Sequence, residues 1–353
     1  MKRYFPLLFF CFILSGCAKE QIIDRVKLIQ SMGYDLQGNT FKMSATYSAY
    51  EKKAKLFLLD GKGKTLTEVL PIFTSQSDRQ IAIGQLQTLV ISEKIARRGI
   101  SELANTVVRD PLISNRSTLV LSTDQARDIL AETLKYPPIY LSNLIKQNME
   151  NGNTPSTNGH IFLDQYFGEG QDVFLPILVK DPKGVLQMDG VGVFHGDKLK
   201  LLLTNHKGLF IKLLTDDKVN IKKSTYIFNN DQNEQISFKI IYAKRKMIVQ
   251  NEKALISLKL DIDLGKYPVT LKVFENNNDM LDLKKQIENN LTAEIKATLE
   301  NFQKNLVDPI GIGNLHRSRQ RNWNEQKFTA QIYPNIQFDV QTDVRILSLG
   351  VGH

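Results

Sequence analysis

Cys17 is the side chain whose setting best prepares it for covalent chemistry. It closes the run Leu14-Ser15-Gly16-Cys17, behind Lys2-Arg3 and an apolar stretch from Tyr4 to Leu14. A positive start, a short apolar block and small residues make a secretory signal, and the terminal cysteine makes that ending a lipobox. The thiol is placed for alkylation by diacylglycerol before cleavage after Gly16. A transmembrane helix needs about 20 apolar residues to cross ~30 Å of hydrocarbon, so this run is too short to span. The expected mature chain begins at Cys17 and is extracytoplasmic. It carries covalent diacylglycerol, with an N-acyl chain on the new terminus as a further modification. Two acyl chains, at ~0.8 kcal/mol per buried methylene, hold a protein on a membrane where one binds only marginally.

No other constellation points to catalysis. His160, His195, His206, His316 and His353 stand at no spacing that makes a metal or catalytic pair, and no HExxH, GxSxG or SxxK pattern occurs. Asp261 and Asp263 share one strand face, an arrangement far more often solvated than catalytic. Gly61-Lys62-Gly63-Lys64 lacks the Ser or Thr that a phosphate loop requires after its lysine, and reads as a tight turn. Asp308-Pro309-Ile310-Gly311-Ile312-Gly313 follows a helical pattern, whereas a dinucleotide loop follows a strand, so it reads as a helix cap and turn. Arg317, Arg319 and Arg321 alternate beside the only tryptophan, Trp323. An exported chain has little access to nucleic acid. The expected roles are therefore a solvated loop, or a contact with lipid headgroups or a partner's acidic surface, where Arg and Trp are favoured anchors. No catalytic residue, metal or cofactor beyond the covalent lipid is expected.

Composition agrees with an ordinary packed protein on a membrane surface. Loss of Lys2 and Arg3 with residues 1–16 takes the net charge from +9 to +7. Just after the anchor, Lys19, Arg25 and Lys27 face Glu20 and Asp24, too small an excess to hold the chain electrostatically, so the membrane contact there is assigned to lipid. Cys11 lies in the removed segment and Cys17 carries lipid, which leaves no intramolecular disulfide. Stability must come from a core supplied by a chain that is 42% hydrophobic.

The elements that position these groups read as α+β, with mixed sheets and packed helices. Residues 1–16 are the signal peptide, 17–184 an N-terminal α/β domain, and 185–353 a β-rich α+β domain, itself divisible in two. Strands are expected over 25–34, 40–49, 86–91, 116–121 and 172–180. Short helices are expected after Thr67, Ser92, Ser101 and Thr123, the first limited by Pro71 to about one turn unless Pro71 itself lies in the first turn. Helix 139–150 is followed by a loop at 151–159, and Asp181-Pro182-Lys183-Gly184 is a turn at the domain boundary. A hairpin at 190–195 and 198–204 and a short helix at 208–214 open the second half. Strands follow at 237–243, 247–249 and 255–262. A long helix over about 281–306 places Ile287, Leu291, Ile295, Leu299, Phe302 and Leu306 within about a 120° arc. A last strand is expected over 335–347.

The order of features resembles the Ger(x)C family, the lipoprotein C subunit of spore germinant receptors. The resemblance rests on Leu14 to Cys17, on Leu86 to Ile100 with Arg79 before it, and on Val173-Phe174-Leu175-Pro176-Ile177-Leu178. Gly190-Val191-Gly192-Val193-Phe194-His195 with Lys198-Leu199, and Asp308 to Gly313 after the long helix, complete it. Two departures stand out. Ala18-Lys19-Glu20 replaces the Trp-Asp-Arg that many members carry after the cysteine. Asn205-His206-Lys207-Gly208-Leu209 replaces a glutamate-bearing helix. The resemblance implies several mixed α/β domains and a non-enzymatic subunit on the outer face of the inner spore membrane. There it would be assembled with integral membrane A and B subunits and needed for the response to nutrients. The alternative from another class is a solute-binding lipoprotein of an envelope transporter, which requires two similar lobes; the unlike halves argue against it.

Overall fold

The computed structural model describes residues 26–349 except 39, 51–53, 110–112, 115, 217, 222–223, 251, 269–270 and 272–275. Cys17 and the signal segment lie outside the described residues. The element order begins with β1 (Val26–Gln37), β2 (Thr40–Tyr50), β3 (Ala54–Lys62), α1 (Leu66–Ser75), β4 (Gln80–Ala82) and β5 (Thr88–Ser92). It continues with α2 (Glu93–Arg98), α3 (Ser101–Arg109), β6 (Thr118–Ser122), α4 (Ala126–Thr133), α5 (Tyr140–Asn151) and α6 (Gly159–Phe167). The hairpin strands β7 (Phe174–Lys180), β8 (Leu186–His195) and β9 (Lys198–Leu203) follow. These nine strands form one sheet in the order β3-β2-β1-β5-β6-β7-β8-β9, with β4 beside β1. The centre is parallel, and antiparallel hairpins extend both edges.

Strand alternation assigns the central side chains to two cores. Leu89, Ile91, Leu119 and Leu121 join α1, α2, α3 and α6 on one face, while Val90 and Val120 meet α4 and α5 on the other. Burial on both faces explains why β5 and β6 read as continuous apolar runs.

The second half comprises α7 (Asn205–Thr215), β10 (Lys218–Asn220), β11 (Thr225–Asn229), β12 (Gln235–Gln250), β13 (Lys253–Lys266), α8 (Asn277–Lys304), α9 (Ile312–Arg317) and β14 (Gln337–Leu349). Its five-stranded sheet runs β10-β12-β13-β14, with β11 also on β12. The parallel β13–β14 pair needs a crossover, which α8 supplies. Leu283, Ile287, Leu291, Ile295, Leu299 and Phe302 of α8 are fully buried against the inner sheet face. Each such side chain contributes roughly 1.5–3 kcal/mol of transfer free energy. Phe174, Val191, Val193 and Leu203 of the first sheet join the same core. The expected boundary at 184/185 falls in the β7–β8 turn, and both strands beyond it pair into the first sheet.

Several local expectations are corrected. Thr65, not Thr67, caps α1 by accepting from the Glu68 N–H, and the helix continues through Pro71. Pro71 and Thr67 are exposed, so the carbonyl freed by the missing N–H faces solvent while buried Val69 and Phe73 hold the helix. Gly61 and Lys62 end β3 rather than form a turn; a Cβ on Gly61 would lie 2.8 Å from Val69, so the bare backbone admits α1. Strand β3 and helix α6 have no counterpart among the expected elements. Asn158, inside the expected loop, caps α6 by accepting from the Ile161 N–H at 2.9 Å. The two short strands expected at 237–243 and 247–249 are one strand, β12.

Leu306 leaves the apolar stripe of α8. The helix ends at Lys304, and Leu306 adopts φ 54° and is 41% exposed. The Leu306 N–H donates to Gln303 O and the Val307 N–H to Phe302 O, both at 3.0 Å, which is a Schellman cap with leucine where glycine is usual. Buried Val307 and Phe302 supply its apolar contact, and Asp308-Pro309 stops the helix.

Candidate functional site

The Schellman cap delivers Asp308 to the N-terminal half. The Asp308 N–H donates to Asp172 Oδ2 at 2.7 Å, and the Asp172 N–H donates to the Asp308 carbonyl at 2.9 Å. The segments 170–172 and 308–314 are bonded at further points. Gln171 Nε2 donates to Pro309 O at 2.9 Å, and the Asn314 N–H donates to Gly170 O at 2.7 Å. Gly170, at φ 85°, is in such close approach that a Cβ would lie 2.5 Å from Gly313 C and Asn314 N. Its N–H donates to Glu325 Oε1 at 2.8 Å.

A cleft of about 450 Å³ opens over this junction, lined in part by Asp172, His195, Leu306, Asp308, Glu325 and Thr329. His195, at the end of β8, sets Nδ1 3.5 Å from Asp172 Oδ1; that contact raises the imidazole pKa against the opposing effect of burial. Asp308 is buried, its Oδ2 accepts from the Gly313 N–H at 2.7 Å, and its Oδ1 has no partner among the described residues. Burial pushes the Asp308 carboxyl up to about 7, with the Asp172 charge acting in the same direction and the backbone donors at 311–313 opposing. Tyr333 is buried and donates its hydroxyl to Val307 O at 2.7 Å. These hydrogen bonds join two distant chain segments.

The other candidate residues are dispersed. Asp261 is held by Arg345 in a bidentate pair at 2.8 and 2.6 Å, and Asp263 accepts from Ser348 at 2.8 Å. Arg317 ends α9, 3.8 Å from Glu169, while Arg319 donates to Val249 O at 2.8 Å and Arg321 is exposed. Trp323 turns inward from the arginines, its ring centroid 6.1 Å from His316 and 5.2 Å from Phe328, against the core between α8 and the five-stranded sheet. His316 is buried, which lowers its pKa. Among the described residues no group of three His, Cys, Asp or Glu side chains could hold a metal ion, and no helix is long and apolar enough to cross a membrane.

Two family models cover nearly the whole chain. Residues 19–180 match the spore germination protein N-terminal domain, and residues 189–350 match the spore germination B3/GerAC-like C-terminal domain. This chain belongs to the Ger(x)C family. It is 31% identical to the spore germination protein GerQC of Bacillus cereus, over 99% of each chain. It is 23% identical to the spore germination protein KC of Bacillus subtilis, over 82% of this chain and 78% of that one. The crystal structure of the GerBC protein matches with a TM-score of 0.58 at 16% identity, covering 90% of this chain and 96% of that one, which fixes the common fold.

The Ger(x)C motifs acquire a place in this fold. Leu86 to Ile100 builds the buried strand β5 and helix α2, and Val173 to Leu178 builds β7. Gly190 to His195 builds β8 and ends at the cleft, where Asp308 to Gly313 meets Asp172. The divergent Asn205 opens α7 and still serves the hairpin, its Oδ1 accepting from the Gly190 N–H at 2.7 Å.

Proposed function

We propose that this chain is a membrane-anchored lipoprotein subunit of a spore nutrient germinant receptor. It acts as a non-catalytic scaffold or signalling subunit required for germination. Cys17 carries covalent diacylglycerol and tethers the mature chain to the outer face of the inner spore membrane. Its partners are the integral membrane A and B subunits of the receptor, and no nucleic acid is involved. The observation that carries the reading is the match of both halves to spore germination domains along the same chain. The paired hydrogen bonds between Asp172 and Asp308, which join those halves, support a scaffold role. A solute-binding lipoprotein is the weaker reading, since it needs similar lobes and the two sheets differ in strand number and order.

The test is detergent-phase partitioning together with co-purification. The wild-type protein enters the detergent phase and retains the A and B subunits, and Cys17→Ala moves it to the aqueous phase. Unchanged partitioning of the Cys17→Ala protein rejects the anchor, and recovery without either membrane subunit rejects the receptor assignment.

A further inference from the structure

The five-stranded sheet buries one face and leaves the other open. Along β13, Ala254, Ile256, Leu258, Leu260 and Ile262 point into the core, so Lys253, Leu255, Ser257 and Lys259 point out. The register sets Lys244 of β12 directly opposite Lys259, Lys246 opposite Ser257, and Ile248 opposite Leu255. Like charges directly opposite on a sheet destabilise it, so the Lys244–Lys259 pair works against the fold. Asp343 of β14 stands opposite Lys259 in the register, but its carboxylate pairs with Lys284 at 3.2 Å. Asp261 is paired with Arg345, and Asp263 accepts from Ser348. Asp339 lies one strand farther out, opposite Leu255 on β14, and Glu252 is exposed at the β12–β13 turn. Among the described residues no carboxylate comes within 4.0 Å of the ammonium of Lys244, Lys246, Lys253 or Lys259.

We propose that this strip, Lys244, Lys246, Lys253 and Lys259 around half-buried Ile248 and exposed Leu255, is a docking surface for an anionic lipid membrane. The spacing suits a plane of headgroups: neighbouring strands lie about 4.8 Å apart, and alternate residues along a strand about 7 Å. Lysine is a flexible point charge that meets diffuse phosphate without fixed geometry, where a protein partner's carboxylates favour the bidentate fork of arginine. Leu255, 41% exposed between the ammonium groups, adds apolar area at headgroup depth. The acidic side chains of β14 limit the strip to β12 and β13, which sets one orientation of the sheet against the surface. The inference deepens the anchored reading above, because a chain tethered at Cys17 would meet such a surface at high local concentration.

The test removes the anchor so that the two readings fail separately. The mature chain carrying Cys17→Ala is sedimented with vesicles of phosphatidylcholine alone or of equal parts phosphatidylcholine and phosphatidylglycerol. Binding to the anionic vesicles, lost on the neutral ones and in high salt, is expected. Each lysine near an anionic surface contributes about fivefold in affinity, so Lys244→Gln, Lys246→Gln and Lys259→Gln together lower binding about 100-fold. A control with Lys42→Gln, Lys55→Gln and Lys62→Gln on the first sheet binds as the parent does, and the strip variant, relieved of the Lys244–Lys259 repulsion, melts no lower than the parent. Equal binding by the two triple variants, binding indifferent to lipid charge, or no vesicle binding would overturn the proposal. Detergent partitioning of the lipidated wild-type protein is unaffected by any of these outcomes.

Discussion

Asp172 and Asp308 clasp each other across 136 residues of sequence: the N–H of Asp308 meets the carboxylate of Asp172, and the N–H of Asp172 meets the carbonyl of Asp308. The clasp joins the two matched domains where the polar cleft opens. Asp172→Ala strips the acceptor from a buried N–H and the partner from His195, and is expected to destabilise the protein by about 1–3 kcal/mol. Urea denaturation measures it; a change below about 0.5 kcal/mol would show that the clasp contributes little.

Asp308 makes stability depend on pH in an unusual direction for a carboxylate. Its folded pKa of about 7 lies above the reference value of 3.8, so its contribution is complete below about 3.8 and is lost as pH rises through about 7. His195, also raised in the folded state, acts in the same sense above its reference value of 6.5. The melting temperature should therefore fall between pH 5 and pH 8, as set by these two groups. Asp308→Asn should flatten most of that slope, and a slope unchanged in the variant would remove Asp308 as its source.

Leu306 adopts a left-handed backbone that costs an L-residue about 1–2 kcal/mol, and its exposed side chain returns little in packing. Leu306→Gly should stabilise the protein by roughly 0.5–1 kcal/mol after the entropy lost by glycine is counted. A drop in melting temperature would mean that Leu306 packs more than its exposure indicates.

Gly170→Ala should do the opposite. A methyl group 2.5 Å from the backbone of Gly313 and Asn314 must push the two segments apart, and φ 85° adds strain. Loss of several degrees in melting temperature is expected, with faster hydrogen exchange at the Asn314 amide that donates to Gly170. Retention of both parental values would contradict the close approach.

Short-range patterns were readable where one periodicity dominates. The i, i+4 rows from Ile287 to Phe302 announce α8, and the apolar run through Leu89 and Ile91 announces β5, because burial acts on local spacing. Leu306 broke its row because the Schellman geometry and the following Asp-Pro outweigh periodicity. Strand β3 was obscured by glycine and lysine that suggest a turn, whereas its neighbour α1 requires the bare Gly61. The clasp had no local signal at all: Asp308 could be read as part of a helix cap, but nothing near it names Asp172 as partner. Trp323 was legible as a singular residue but not as a packed one, since His316 and Phe328 approach it only in three dimensions.

The most direct measurement follows nutrient-triggered dipicolinate release from spores whose sole copy of this gene encodes Cys17→Ala, in a host without paralogues. The account of an anchored receptor subunit predicts that the variant, present at wild-type level, fails to support release that the wild-type gene supports. Normal release with every nutrient and mixture would contradict it.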